Sequence, residues 1–317
     1  MRVALAQIAP VFLNRQKTTE KIVATMHASP DADLIAFGEA LLPGYPFWVE
    51  RTNGARFGAA DQQRWHARYQ REAVQIERGD LKPVCDAAAA LQQAVYLGIM
   101  ERPQQRGGHS LYASLVYIDQ RGRIQSVHRK LMPTYEERLV WATGDGNGLV
   151  THPLGDFTVG GLNCWENWMP LARAALYGQG ENLHVAVWPG NLNNTEWITR
   201  FIARESRSYV LSVSGLMRPE DWKHADLPDD IDLPAESVWA NGGSCIAAPD
   251  GEWLVPPQVG DETVINASVE IDAVRMARHN FDPSGHYARP DVTRLSVNRE
   301  RQQICHFADS QEEESTA

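Results

Sequence analysis

Short apolar runs of strand length alternate with helical patterns along almost the whole chain, and turn signals interrupt the alternation. Residues 3–8, 33–38, 95–101, 157–163, 183–188 and 209–215 each read as a buried strand. Between them, residues 15–28 carry Ile22, Val23 and Met26 at helical spacing behind a capping Asn14, and residues 84–94 form a second helical stretch. Pro170 suits the first turn of a helix running to about Gly178. Asn193, with Glu196 three residues on, signals another helix, with Ile198, Phe201, Ile202 and Tyr209 on one side. Strands over 110–119 and 123–129 flank Gln120-Arg121-Gly122, a hairpin signal. Gly251 marks a second hairpin between apolar runs at 245–248 and 264–271. Residues 50–80 are polar and read as irregular plus helical. Interleaved helices with hairpins predict layered α/β architecture with mixed sheets, not a purely parallel doubly wound sheet.

No repeat, low-complexity tract or linker-like composition shift divides the chain. Residues 1–298 are therefore expected to form one domain, followed by a polar, acidic and loose tail over 299–317. The net charge of −10 argues against a nucleic-acid binder or docking on an anionic membrane, both of which favour basic faces. No run of about 18 apolar residues is present to span a bilayer. The first 14 residues read as a strand rather than a signal peptide, because Gln7 interrupts their apolar run. Cys85, Cys164, Cys245 and Cys305 lie far apart with no C-x-x-C pair, so free thiols in a reducing cytoplasm are expected, with no zinc site.

Three reactive side chains close three of the strand candidates. Glu39 follows D-L-I-A-F-G, Lys130 follows the hairpin's second strand, and Cys164 follows F-T-V-G-G-L-N. Ligands in α/β sheets bind where strands end, so a carboxylate, an ammonium and a thiol could converge there. Position alone is weak: a lone cysteine is more often a buried structural thiol, and a lone Glu or Lys a solvated loop residue.

Local context is stronger. Glu39 lies in G-E-A-L-L-P-G-Y-P (38–46), Lys130 in H-R-K-L-M-P-T-Y-E-E-R (128–138), and Cys164 in G-G-L-N-C-W-E-N-W-M-P-L (160–171). In this order they resemble the nitrilase branch of the carbon–nitrogen hydrolase superfamily. The resemblance runs from V-A-L-A-Q-I-A-P (3–10) to D-P-S-G-H-Y-A-R-P-D (282–291). It implies a four-layer αββα sandwich of two mixed β-sheets flanked by helices, and a catalytic triad on Glu39, Lys130 and Cys164. The family's second site glutamate falls on Glu137, with adjacent Glu136 pointing elsewhere. Family pocket positions match Tyr45, Trp141, Trp165 and Pro189. The resemblance also implies a homodimer or larger oligomer, a small-molecule nitrile substrate, and neither metal nor cofactor. The short acidic end after Pro290 argues against long filaments.

The chemistry is consistent with those roles. A thiol of ordinary pKa, about 8.5, is only slightly ionised at neutral pH and needs activation. Glu39 can serve as its general base. Attack on a nitrile carbon builds negative charge on nitrogen, which Lys130 and the Trp165 backbone N–H can stabilise. A helix starting near Pro170 would favour the thiolate with its positive end. Glu137 can keep Lys130 charged and help to place water. An amidase or a cyanide-degrading enzyme would use the same groups, and a non-catalytic binding or filament-forming subunit is the rival from another class. His128 and His286, the remaining cysteines and most of the ten tryptophans read as packing residues.

Overall fold

The computed structural model describes residues 1–222 and 238–305. The chain begins with β1 (Arg2–Gln7), α1 (Arg15–His27), β2 (Leu34–Phe37), α2 (Trp48–Arg51), α3 (Ala60–Glu72) and α4 (Lys82–Leu91). It continues through β3 (Ala94–Glu101), β4 (Tyr112–Ile118), β5 (Ile124–Arg129), β6 (His152–Leu154), β7 (Phe157–Asn163), α5 (Pro170–Tyr177) and β8 (Leu183–Trp188). Then follow α6 (Leu192–Ser206), β9 (Tyr209–Ser214), β10 (Leu216–Met217), α7 (Pro219–Trp222), β11 (Ala240–Ala247), β12 (Trp253–Val259), β13 (Thr263–Ser268) and α8 (Ile271–Arg278).

The strands form two mixed sheets. The first has the order β13-β1-β2-β3-β4-β5, the second β10-β11-β9-β8-β7-β6 with β12 beside β11. β1, β2 and β3 run parallel, as do β7, β8 and β9. The period-two alternation of each strand divides its side chains between two layers. Val3 and Leu5 of β1 and Leu34 and Ala36 of β2 meet Val159, Val185 and Leu211 between the sheets. Ala4, Ala6, Ile35 and Phe37 face outward onto Ile22 and Met26 of α1 and Val84 and Ala88 of α4. On the far side, Ile198, Ile202 and Ala203 of α6 cover Ala186, Trp188 and Val210 of the second sheet. The result is the four-layer αββα sandwich, with the central strands of both sheets buried on both faces.

Several elements differ from the sequence reading. Asn191, not Asn193, caps α6, its side chain accepting from the Asn193 N–H at 3.1 Å. Phe201 is exposed on α6 while Ile198 and Ile202 are buried, and Tyr209 belongs to β9. One residue of offset moves Phe201 by about 100° around a helix, enough to leave the apolar stripe. The partner of β11 across Gly251 is β12, whose Pro256 and Pro257 are tolerated because it is an edge strand. β13 crosses instead to the first sheet, pairing antiparallel with β1 from Arg2↔Ser268 to Gln7↔Thr263. Residues 50–80, read as irregular plus helical, contain α3, which buries Trp65 and Tyr69. Past the expected boundary at 298, Arg301 donates to Asp145 Oδ1 at 3.0 Å and to the Val127 carbonyl at 2.9 Å. Residues 306–317 lie outside the described residues.

Candidate active site

Glu39 follows β2 after Gly38, Lys130 follows β5, and Cys164 follows β7. The first two strands lie in one sheet and the third in the other, so the three residues meet where the sheets face each other. Glu39 is pinned from both sheets. Its backbone N–H donates to the Trp188 carbonyl of β8 at 3.1 Å. Gly98 of β3 lies beneath it, where an added Cβ would stand 2.7 Å from Glu39 Cα and 2.1 Å from the Gly38 carbonyl oxygen. Only glycine permits that approach.

Cys164 makes an abrupt turn from β7 into a 3-10 turn over Cys164–Trp168, with φ +48°. A non-glycine residue in the left-handed region is strained and must be held by its surroundings. Here Asn167 Nδ2 donates to the Cys164 carbonyl at 2.8 Å. Asn167 Oδ1 is 2.7 Å from His184 Nε2, whose Nδ1 is 2.9 Å from Glu181 Oε1, all of them fully buried. The turn next to the thiol thus starts at Cys164 itself, and the Pro170 helix begins only after it.

Lys130 sits between two carboxylates. Its Nζ is 2.7 Å from Glu137 Oε2 in a directed hydrogen bond and 2.9 Å from Glu39 Oε1 as an ion pair. The second contact is close enough for charge pairing but poorly aligned for hydrogen bonding, so Glu39 keeps both oxygens without an aligned donor among the described residues. Glu137 is held by three donors: Lys130, the Tyr45 hydroxyl at 2.6 Å and the Thr134 N–H at 2.6 Å. The last bond is half of a capping box, T-x-x-E over residues 134–137. One oxygen of each carboxylate and the Cys164 sulfur lie within 4.8 Å of one another. Such a trio has donor atoms for a cation, but the Lys130 ammonium already stands against both carboxylates.

Burial governs the protonation of this cluster. It pushes the Glu39 carboxyl up to about 8; Lys130 opposes the rise and the Glu137 charge adds to it. Burial likewise holds the Cys164 thiol well above its ordinary value, with Glu39 adding to the effect and Lys130 and the Trp165 N–H working against it. For Lys130 burial disfavours the charge, but Cys164, Glu39 and Glu137 together hold the ammonium well above its usual range. The resting site therefore keeps a charged lysine beside a protonated thiol, with a carboxyl raised to about 8.

Of the expected pocket residues, Tyr45 and Trp141 pack edge to face at 5.4 Å, and Lys130 Nζ lies 5.6 Å from the centre of the Trp141 ring. Phe47 and Trp239 extend this aromatic wall. Pro189 follows β8 beside the Trp188 carbonyl that holds Glu39. Trp165 brings its backbone N–H to the thiol, and the residue is 54% exposed. Glu136 is half-buried outside the cluster, whereas Glu137 is buried within it. All four cysteines are free thiols.

Sequence reasoning passed over Glu166, Asn167 and His184. Glu166 had a readable signal, since N-x-x-E over 163–166 repeats the capping pattern that places Glu137. Asn167 and His184 had none, because their contact depends on how β8 packs against the turn.

No helix of the described residues is long and apolar enough to cross a membrane. The chain is 35% identical over 309 residues to "Nitrilase 2" of an unknown prokaryotic organism, covering 96% of this chain and 95% of that one. It is 32% identical over 315 residues to an aliphatic nitrilase of Rhodococcus rhodochrous, covering 94% and 82%. Its fold matches the crystal structure of a carbon–nitrogen hydrolase from Helicobacter pylori G27 with a TM-score of 0.67 at 17% identity, over 92% of this chain and 96% of that one. The family model for carbon–nitrogen hydrolases matches residues 2–279, and with Glu39, Lys130 and Cys164 gathered inside that span, the chain belongs to the carbon–nitrogen hydrolase family.

Proposed function

We propose that the protein is a nitrilase that converts an organic nitrile to its carboxylic acid and ammonia through a covalent intermediate on Cys164. The observation that carries this reading is the buried meeting of one thiol, one ammonium and two carboxylates, in a chain so similar to nitrilases along its length. In its ionised form Glu39 is the general base: it adjoins the thiol, has an acceptor oxygen to spare, and with its carboxyl raised to about 8 is a stronger base than an ordinary carboxylate. It takes the thiol proton as sulfur attacks the nitrile carbon, and returns that proton to nitrogen to give a thioimidate. Lys130 and the Trp165 N–H stabilise the charge growing on nitrogen; one such donor is typically worth about 100- to 1,000-fold in rate. Water then adds to the thioimidate carbon, ammonia departs with protons relayed by Glu39, and a thioester remains. A second water releases the acid and restores the thiol. Glu137 holds Lys130 in place and helps to orient the attacking water. Tyr45, Trp141, Trp165 and Pro189 shape the substrate site.

A small panel tests the proposal: an aryl nitrile, an arylacetonitrile, an alkyl dinitrile, cyanide and the matching amides, each with Cys164→Ala as control. Acid and ammonia from nitriles, absent in the variant, are expected. Turnover of amides alone would move the protein to amidase chemistry, and turnover of cyanide alone to cyanide degradation.

The active form is proposed to be a homodimer. Trp197 and Phe201 lie one turn apart and exposed on α6, and Leu171 is exposed on α5. Arg173 of α5 stacks over Phe201 at 5.5 Å, which joins the two helices into one apolar face suited to a second copy. A nucleophilic thiol that must stay reduced suits a cytoplasmic location.

A further inference from the structure

Glu166 is 1% exposed, yet both its carboxylate oxygens are engaged. Oε1 accepts the backbone N–H of Leu131, the residue after Lys130. Oε2 accepts the backbone N–H of Asn163, the residue before Cys164, at 2.9 Å. His128, two residues before Lys130, places Nε2 at 3.0 and 3.2 Å from the two oxygens. One buried carboxylate therefore spans the two sheets, tying the end of β5 that bears the ammonium to the end of β7 that bears the thiol.

We propose that Glu166, with His128, is a positioning residue that sets the separation between Lys130 and Cys164, rather than a packing residue of the sheet interface. Burying a carboxylate is costly unless it is fully hydrogen-bonded. This one is saturated, and its donors are the neighbours of two site residues on different sheets. It touches neither substrate nor thiol and acts only through the backbone it holds. Glutamine at this position keeps the shape but turns an NH2 group toward one of the two backbone N–H donors. One strand end is then released while the other stays bound. A displacement of about 1 Å between reacting groups can cost on the order of 100-fold in rate.

This inference rests on the nitrilase reading, but one arm of its test does not. In Glu166→Gln, kcat for the best nitrile is expected to fall by about 100-fold with KM changed less than about threefold, because the pocket walls are elsewhere. Alkylation of Cys164 by iodoacetamide, read by peptide-resolved mass spectrometry, is expected to slow by about 10-fold as the lysine moves off the thiol. If the wild-type protein turns over no nitrile, the functional reading fails and the alkylation rate alone decides the clamp. Where Glu166→Gln does not fold, His128→Gln is the second variant, with an expected drop in kcat of about 10-fold at unchanged KM. A folded Glu166→Gln whose alkylation is unchanged or faster, or a His128→Gln with wild-type kcat, overturns the proposal.

Discussion

The Lys130 ammonium lies 2.9 Å from Glu39 Oε1, with neither side chain more than 1% exposed, and the same nitrogen donates to Glu137 Oε2 at 2.7 Å. One buried cation thus offsets two buried carboxylates. Removing it leaves Glu137 without its buried cation and pushes the Glu39 carboxyl still further toward its protonated form. Lys130→Met is expected to lower stability by about 3–5 kcal/mol, the usual cost of breaking a buried ion pair from one side. Adding Glu137→Gln should recover part of that loss without recovering activity. Denaturant titration of the single and double variants checks this; additive losses would contradict it.

Glu39 links stability to pH in a definite direction. Its carboxyl is held near 8 in the folded protein against 4.5 for the ordinary group. Between these values the folded state binds a proton that the unfolded state has released. Its contribution is complete below 4.5 and lost as pH rises through 8. Glu39→Gln removes that slope. The variant is expected to lose turnover by at least about 100-fold, while its Tm rises relative to wild type as pH goes from 5 to 8. A Tm difference independent of pH would contradict the burial account.

Tyr45 was expected to line the substrate site, and its hydroxyl binds Glu137. Tyr45→Phe keeps the ring against Trp141 but takes one of three donors from the carboxylate. A hydrogen bond to a charged group is worth about 1.5–3 kcal/mol, so a drop of roughly 10-fold or more in kcat is expected with KM little changed. Steady-state kinetics separate this from a role in substrate contact, which would raise KM first.

The apolar face of α5 and α6 gives the assembly prediction. Placing Glu at both Trp197 and Phe201 should convert a dimer of 35.4 kDa chains to monomers while preserving the fold. Light scattering of both proteins reads the outcome directly. A variant that remained dimeric would place the interface elsewhere.

How much of this was legible in the sequence follows the range of the interactions. Strands such as β1 and β8 are continuous apolar runs because both faces are covered, and that pattern is local. β12 was not legible: its short apolar start, Trp253 to Val255, is cut off by Pro256 and Pro257, which argue against a strand. β13 was read as a strand, but its place beside β1 depends on pairing across some 260 residues. At the site, Glu39, Lys130 and Cys164 are named by strand ends and motif. The clasp of Tyr45 on Glu137 spans 92 residues and of Glu166 on Leu131 spans 35, and neither has a periodicity to betray it.

The central claim is that chemistry passes through a covalent bond to Cys164. Rapid-quench mass spectrometry during turnover of an active nitrile tests it most directly. The account predicts an added mass equal to the thioimidate or acyl group, confined to the peptide carrying Cys164 and absent from Cys164→Ala. Acid formation at the full rate with that peptide unmodified throughout, or continued turnover by Cys164→Ala, would contradict it.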